Sequence, residues 1–244
     1  VAETAEIVLP TRRAVIERVN PKRMVIYSKP KAGKTTAIAG LDDCLILDFE
    51  DGAGFVSAMK INIDNLSKLR QVGTQILNQG RPYKYIAVDT VTALEDMARV
   101  LALKLYKATP IGKNYEGENV LTLPNGAGYG YLREAMDYLL NYIDTLADNI
   151  ILLGHLKDKQ IEIKGKEVIA ADIDLTGKIR NIVCSKADAI GYLSRSNGQT
   201  LLNFNTKDEI TCGARPEHLR NKEIILAETL EDGSYNTYWN RIYL

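Results

Sequence analysis

Residues 24–41 read MVIYSKPKAGKTTAIAGL, and this stretch decides the fold. An apolar run, Met24–Tyr27, leads into a short polar loop, and Lys34–Leu41 then continues as a helix. A loop that holds phosphate needs backbone N–H groups turned inward at a helix N-terminus, where the helix dipole favours anions. The pattern G-x-x-x-x-G-K-[ST] supplies this, with its Lys on the β- and γ-phosphates and its hydroxyl on magnesium. Here Ser28 stands at the first Gly position, while Gly33, Lys34 and Thr35 are intact. Ser is small, and the second Gly is the one that sits closest to phosphate. The candidate nucleotide-binding segment is therefore Ser28, Lys29, Pro30, Lys31, Ala32, Gly33, Lys34, Thr35 and Thr36. The competing reading, a chance KAGKTT on a solvated helix, ignores the strand before it and the helix after it.

Three further residues end apolar runs downstream. Tyr85–Asp89 (YIAVD) is a buried-strand pattern that closes on Asp89. A carboxylate there, beside a phosphate loop, can share magnesium with Thr35. Cys44–Phe49 (CLILDF) is followed by Glu50, which can deprotonate the water that attacks a phosphate. Asp48, two residues before it, is expected on the same side of the strand. His155 ends Asn149–Leu156 (NIILLGHL) in the region of its penultimate residue, again where a parallel sheet binds ligands, and can sense the γ-phosphate. Each has a plainer alternative: a helix-capping Asp, a solvated acidic turn, or a structural histidine.

Strand and helix patterns alternate through the first two thirds, which implies a mainly parallel sheet with helices on both faces. Asp64 is expected to cap a helix running towards Gln79, and Val91–Lys107 has amphipathic spacing. Residues 108–130 hold Pro110, Pro124 and five glycines and read as a long loop. Leu132 to Leu146 marks another long helix. The last third changes character. Gln160–Ala170 alternates around Lys164-Gly165-Lys166 as an exposed hairpin, and Asn197-Gly198 is a strong hairpin turn between Ala189–Ser194 and Thr200–Asn205. The expected organisation is a lead-in over 1–23 and one α/β domain over 24–244.

Composition bounds the partners. The 244 residues carry 31 basic and 31 acidic side chains, so any polyanion must be held by a local patch and not by the field of the whole molecule. Cys44, Cys184 and Cys212 are widely spaced and there are two histidines, which argues against a structural zinc site and for reduced thiols. No apolar run reaches the length of a membrane span, and the expectation is a soluble, cytoplasmic protein without a membrane partner.

A phosphate loop, Glu50 after the next strand, Asp89 and then His155, in that order, resemble the RecA-type recombinase core. The nearer resemblance, over about 22–230, is to the phage RecA-like ATPases of the single-strand-annealing or recombinase type. It implies a RecA-like P-loop fold, ATP and magnesium as ligands, ATP hydrolysis, and binding of single-stranded DNA. It further implies a homo-oligomer, ring or filament, acting in phage recombination or replication with other phage proteins, in the host cytoplasm. In that family two loops line the DNA channel. They correspond here to Tyr106–Tyr131, with Lys113 and Tyr115 as candidate contacts, and Lys157–Lys186, with Lys164 and Lys166 at the hairpin tip. Such proteins complete their site with a cation from the next protomer, for which Lys186 and Arg215 are candidates. Two other functions fit the same core: an ATPase acting on a protein partner, as a helicase loader or packaging motor does, and a nucleotide-gated binding module with little turnover.

Overall fold

The computed structural model describes residues 9, 11–163, 166–207 and 209–244. Residues 11–22 form no regular element, and the first strand, β1, is Arg23–Ser28, buried along its whole length. The chain continues through α1 (Lys34–Ala39), β2 (Cys44–Asp48), β3 (Met59–Asn62), α2 (Leu66–Asn78) and β4 (Tyr85–Asp89). Next come α3 (Val91–Lys107), α4 (Ala127–Ile143), β5 (Asn149–Ile163), β6 (Lys166–Ile173) and α5 (Ile179–Ser185). β7 (Ala189–Ser196), β8 (Gln199–Asn203), β9 (Gly213–Ala214), β10 (Glu223–Thr229) and β11 (Tyr235–Thr237) complete the sheet.

The strands lie in the order β11-β10-β8-β7-β1-β5-β4-β2-β3. From β7 to β3 every pairing is parallel, and β8, β10 and β11 extend the sheet antiparallel. This is the mixed α/β arrangement, a mainly parallel sheet, expected from the alternation of strand and helix, with the antiparallel strands confined to the last third. Alternation along β1 divides the core in two. Val25 and Tyr27 face a layer made by α2, α3, α4 and α5, whereas Met24 and Ile26 face α1 and the C-terminal residues. The second face is thinly helical: Trp239 fills it and donates its indole N–H to the Ala37 carbonyl at 2.8 Å.

Several boundaries differ from the sequence expectation. The cap of α2 is Asn65, whose side chain accepts the Lys68 N–H at 2.9 Å, and not Asp64. β5 continues seven residues past Leu156, because the hairpin with β6 pairs Leu156 with Ile173 and carries the strand out to Ile163. The loop after α3 is shorter than expected. It contains 3-10 turns at Val120–Thr122 and Pro124–Gly126, and α4 begins at Ala127. Gly128 explains that difference: a Cβ there would stand 1.8 Å from the Val120 carbonyl oxygen, so this glycine serves close packing inside a helix. Strands β3 and β11 are short and half-exposed, and their sequences carry no strong period. Among the described residues no helix is long and apolar enough to cross a membrane.

Candidate functional site

The carboxyl ends of β1, β2 and β4 meet the middle of β5, at His155, at one edge of the sheet. Register places Ser28 opposite His155, and Asp48 opposite Asp89. A parallel sheet collects the residues that follow its strands at one edge, whatever their distance in sequence.

The phosphate loop turns tightly between β1 and α1. Lys31 has φ +62° and Gly33 φ +96°, left-handed values that bring the backbone round before α1 begins. Gly33 is the N-cap of α1 and its carbonyl accepts the Ala37 N–H at 2.9 Å. Ser28 gains a role that a glycine would lack. Its hydroxyl donates to the Lys29 carbonyl at 2.9 Å and accepts from Lys34 Nζ at 3.1 Å, which folds the lysine back over the loop. Lys34 is buried, and burial holds its pKa below the ordinary lysine value although Asp89 and Glu50 attract the charged form. Lys29, Pro30, Lys31 and Thr36 are exposed on the outer side of the loop, and Ala32 is half-buried.

Thr35 and Asp89 are in contact: Thr35 Oγ1 donates to Asp89 Oδ2 at 2.6 Å. Burial pushes the Asp89 carboxyl up. The Thr35 hydrogen bond opposes this, the nearby Glu50 and Asp48 charges add to it, and Lys34 relieves it. Hard oxygen donors beside crowded carboxylates suit a divalent cation such as magnesium.

Glu50 lies beyond the end of β2, in the bend that follows it, and turns towards β4 and β5. Thr90 Oγ1, at the N-cap of α3, donates to Glu50 Oε1 at 2.5 Å. His155 Nε2 lies 2.9 Å from the same oxygen and 3.3 Å from Oε2. His155 Nδ1 is buried without a partner among the described residues. Sequence reasoning singled out Glu50 and His155 separately. It missed Thr90, whose only local signal is its place as a capping residue before α3.

The other candidates fall elsewhere. Lys186 pairs with Asp137 and with Asn141 of α4, and Arg215 pairs with Asp188 at 3.1 Å and the Ser185 carbonyl at 3.2 Å. Both lie near the amino end of β7, where Ala189 is beside Met24, at the edge opposite the phosphate loop. Within one chain they do not complete the site. Lys113 is exposed. Tyr115 is folded onto its own loop, its hydroxyl 3.1 Å from the Asn119 carbonyl and 2.9 Å from Thr122 Oγ1, its ring edge-on to Tyr106 and under Lys107. The ring is thus half-buried against its own loop. Lys164 lies outside the described residues, and Lys166 opens β6 opposite Ile163.

Arg195 had no sequence signal. It sits at the far end of β7, exposed, with Cδ 3.9 Å from where a Gly33 side chain would begin. Its nearness to the loop depends on β7 lying beside β1, a contact across more than 160 residues of chain that no local pattern encodes.

Comparison with known proteins adds a family. A model described as an AAA domain matches residues 20–215. No curated protein matches the chain. Among solved structures, the crystal structure of the RadB recombinase aligns over 90% of this chain and 92% of its own, at 12% identity and a TM-score of 0.46. The family match spans most of the chain and includes every strand end that builds the site: the protein belongs to the AAA domain family.

Proposed function

We propose that the protein is a magnesium-dependent ATPase that binds single-stranded DNA and works as an oligomer in phage DNA recombination or strand annealing. The observation that carries the ATPase reading is the convergence of Lys34, the Thr35–Asp89 pair and Glu50 at one sheet edge. Lys34 and the loop N–H groups would hold the β- and γ-phosphates. Thr35 and Asp89 would hold magnesium, which when bound supplies charge for the phosphate oxygens. Glu50 takes a proton from water as the water oxygen bonds to the γ-phosphorus and the bond to the β-phosphate oxygen breaks, releasing ADP.

The hydrogen bonds suggest how Glu50 is prepared. Oε1 already accepts from Thr90 and lies closest to His155, which leaves Oε2 the freer oxygen for water. An ionised carboxylate only accepts, so Nε2 of His155 is the donor to Glu50. His155 also begins the part of β5 that runs out into the hairpin, so displacement of the hairpin by a bound strand would reach Glu50 through this bond. Exposed Lys113 and the hairpin tip at Lys164 and Lys166 are the proposed DNA contacts, and Lys186 or Arg215 the cation offered to a neighbouring protomer. For either to serve, assembly would have to release it from its present partner.

ATP turnover measured with and without single-stranded DNA tests this reading. Stimulation by DNA is expected. Turnover unchanged by DNA, with no DNA binding at low salt, would reject the recombinase reading in favour of a protein partner; DNA binding without turnover would favour a nucleotide-gated module.

A further inference from the structure

Asp48 has no part in the chemistry above, yet it is buried at the same edge, in register with Asp89. A buried carboxylate requires donors. Asp48 finds three, all from the backbone of the segment that carries Glu50 away from β2. Oδ1 accepts the N–H of Glu50 at 3.1 Å and of Gly52 at 3.2 Å, and Oδ2 accepts the N–H of Ala53 at 2.8 Å. Between them Asp51 has φ +56°, so the turn passes through a conformation that side chains resist and that the carboxylate closes from inside. From outside, Lys60 Nζ donates to the carbonyls of Ala53 and Val56.

We propose that Asp48 is the positioning residue for Glu50: its carboxylate fixes the turn from which Glu50 reaches Thr90 and His155. Three of its roughly four acceptor positions are taken by backbone N–H groups of this one turn. Asparagine in its place keeps the volume but turns one oxygen into a donor facing an N–H group, so at least one of the three bonds is lost. The inference rests on Glu50 being the general base.

The experiment compares Asp48→Asn, Glu50→Gln and the double variant, each measured for kcat, ATP affinity and melting temperature. Asp48→Asn is expected to lower kcat about ten- to hundredfold, the scale of an ångström-level misplacement, while ATP affinity is kept. The double variant is expected to be no slower than Glu50→Gln alone, as for residues acting as one unit. Normal turnover in folded Asp48→Asn, losses that multiply in the double variant, or ATP affinity falling in step with kcat would each overturn the proposal. Normal turnover in Glu50→Gln would instead remove the general-base reading, and this inference with it. Should Asp48→Asn not fold, hydrogen exchange on the wild-type protein decides: the Glu50, Gly52 and Ala53 amides are expected to be protected, and rapid exchange there overturns the assignment.

Discussion

Asp89 is a carboxylate buried at the sheet edge, beside Thr35. Burial raises its pKa, so the folded protein favours the protonated carboxyl more than the unfolded chain does. The sign follows: the folded state binds more protons, and stability falls as pH rises from the unfolded value, near 3.8, through the raised folded value. Asp89→Asn, which keeps an oxygen for the Thr35 hydroxyl, is expected to raise the melting temperature at neutral pH without nucleotide. The gain should shrink as pH approaches 4, and the variant should lose magnesium-dependent ATP binding. An unchanged or lower melting temperature in thermal denaturation would mean that the carboxylate is not buried at a cost. Much at this scale was legible in the sequence. Lys34, Thr35 and Asp89 belong to short local patterns, and the structure brings them together. Ser28 was read only as a tolerable departure, whereas its hydroxyl holds Lys34. Arg195 and Thr90 were not legible, because their places depend on which strands lie side by side.

Elements were legible where their signals are local. Asn197-Gly198 marks the β7–β8 turn, with φ of 50° and 77°, the left-handed pair that such hairpins need. The stretch before α4 misled because its glycines and prolines resemble a loop, although Gly128 is required inside the helix by the Val120 carbonyl. Gly128→Ala is therefore expected to destabilise the protein by about 1–3 kcal/mol, as overpacking does. Gly130→Ala in the same helix meets nothing closer than 4.0 Å and is expected to stabilise it by about 0.5–1 kcal/mol. Chemical denaturation of the two variants checks this, and equal effects would contradict the packing account. The length of β5 was not legible either, since pairing with β6 and not its own composition extends it beyond His155.

At the scale of the molecule, the parallel sheet was legible from the alternation of strand and helix, while strand order was set by contacts far apart in sequence. The charge balance has a consequence for function. With 31 basic and 31 acidic side chains, DNA binding would rest on a few local phosphate contacts. DNA stimulation of turnover is expected to fade with salt, with a slope in log affinity of about 0.7 per phosphate neutralised. Salt-independent stimulation would point to base stacking alone. The central claim remains that one sheet edge binds ATP and hydrolyses it through Glu50. Its most direct test is ATP turnover by Glu50→Gln with magnesium-ATP binding measured on the same sample. Retained binding with turnover lowered about a hundredfold or more is the predicted result; wild-type turnover in the variant would contradict it.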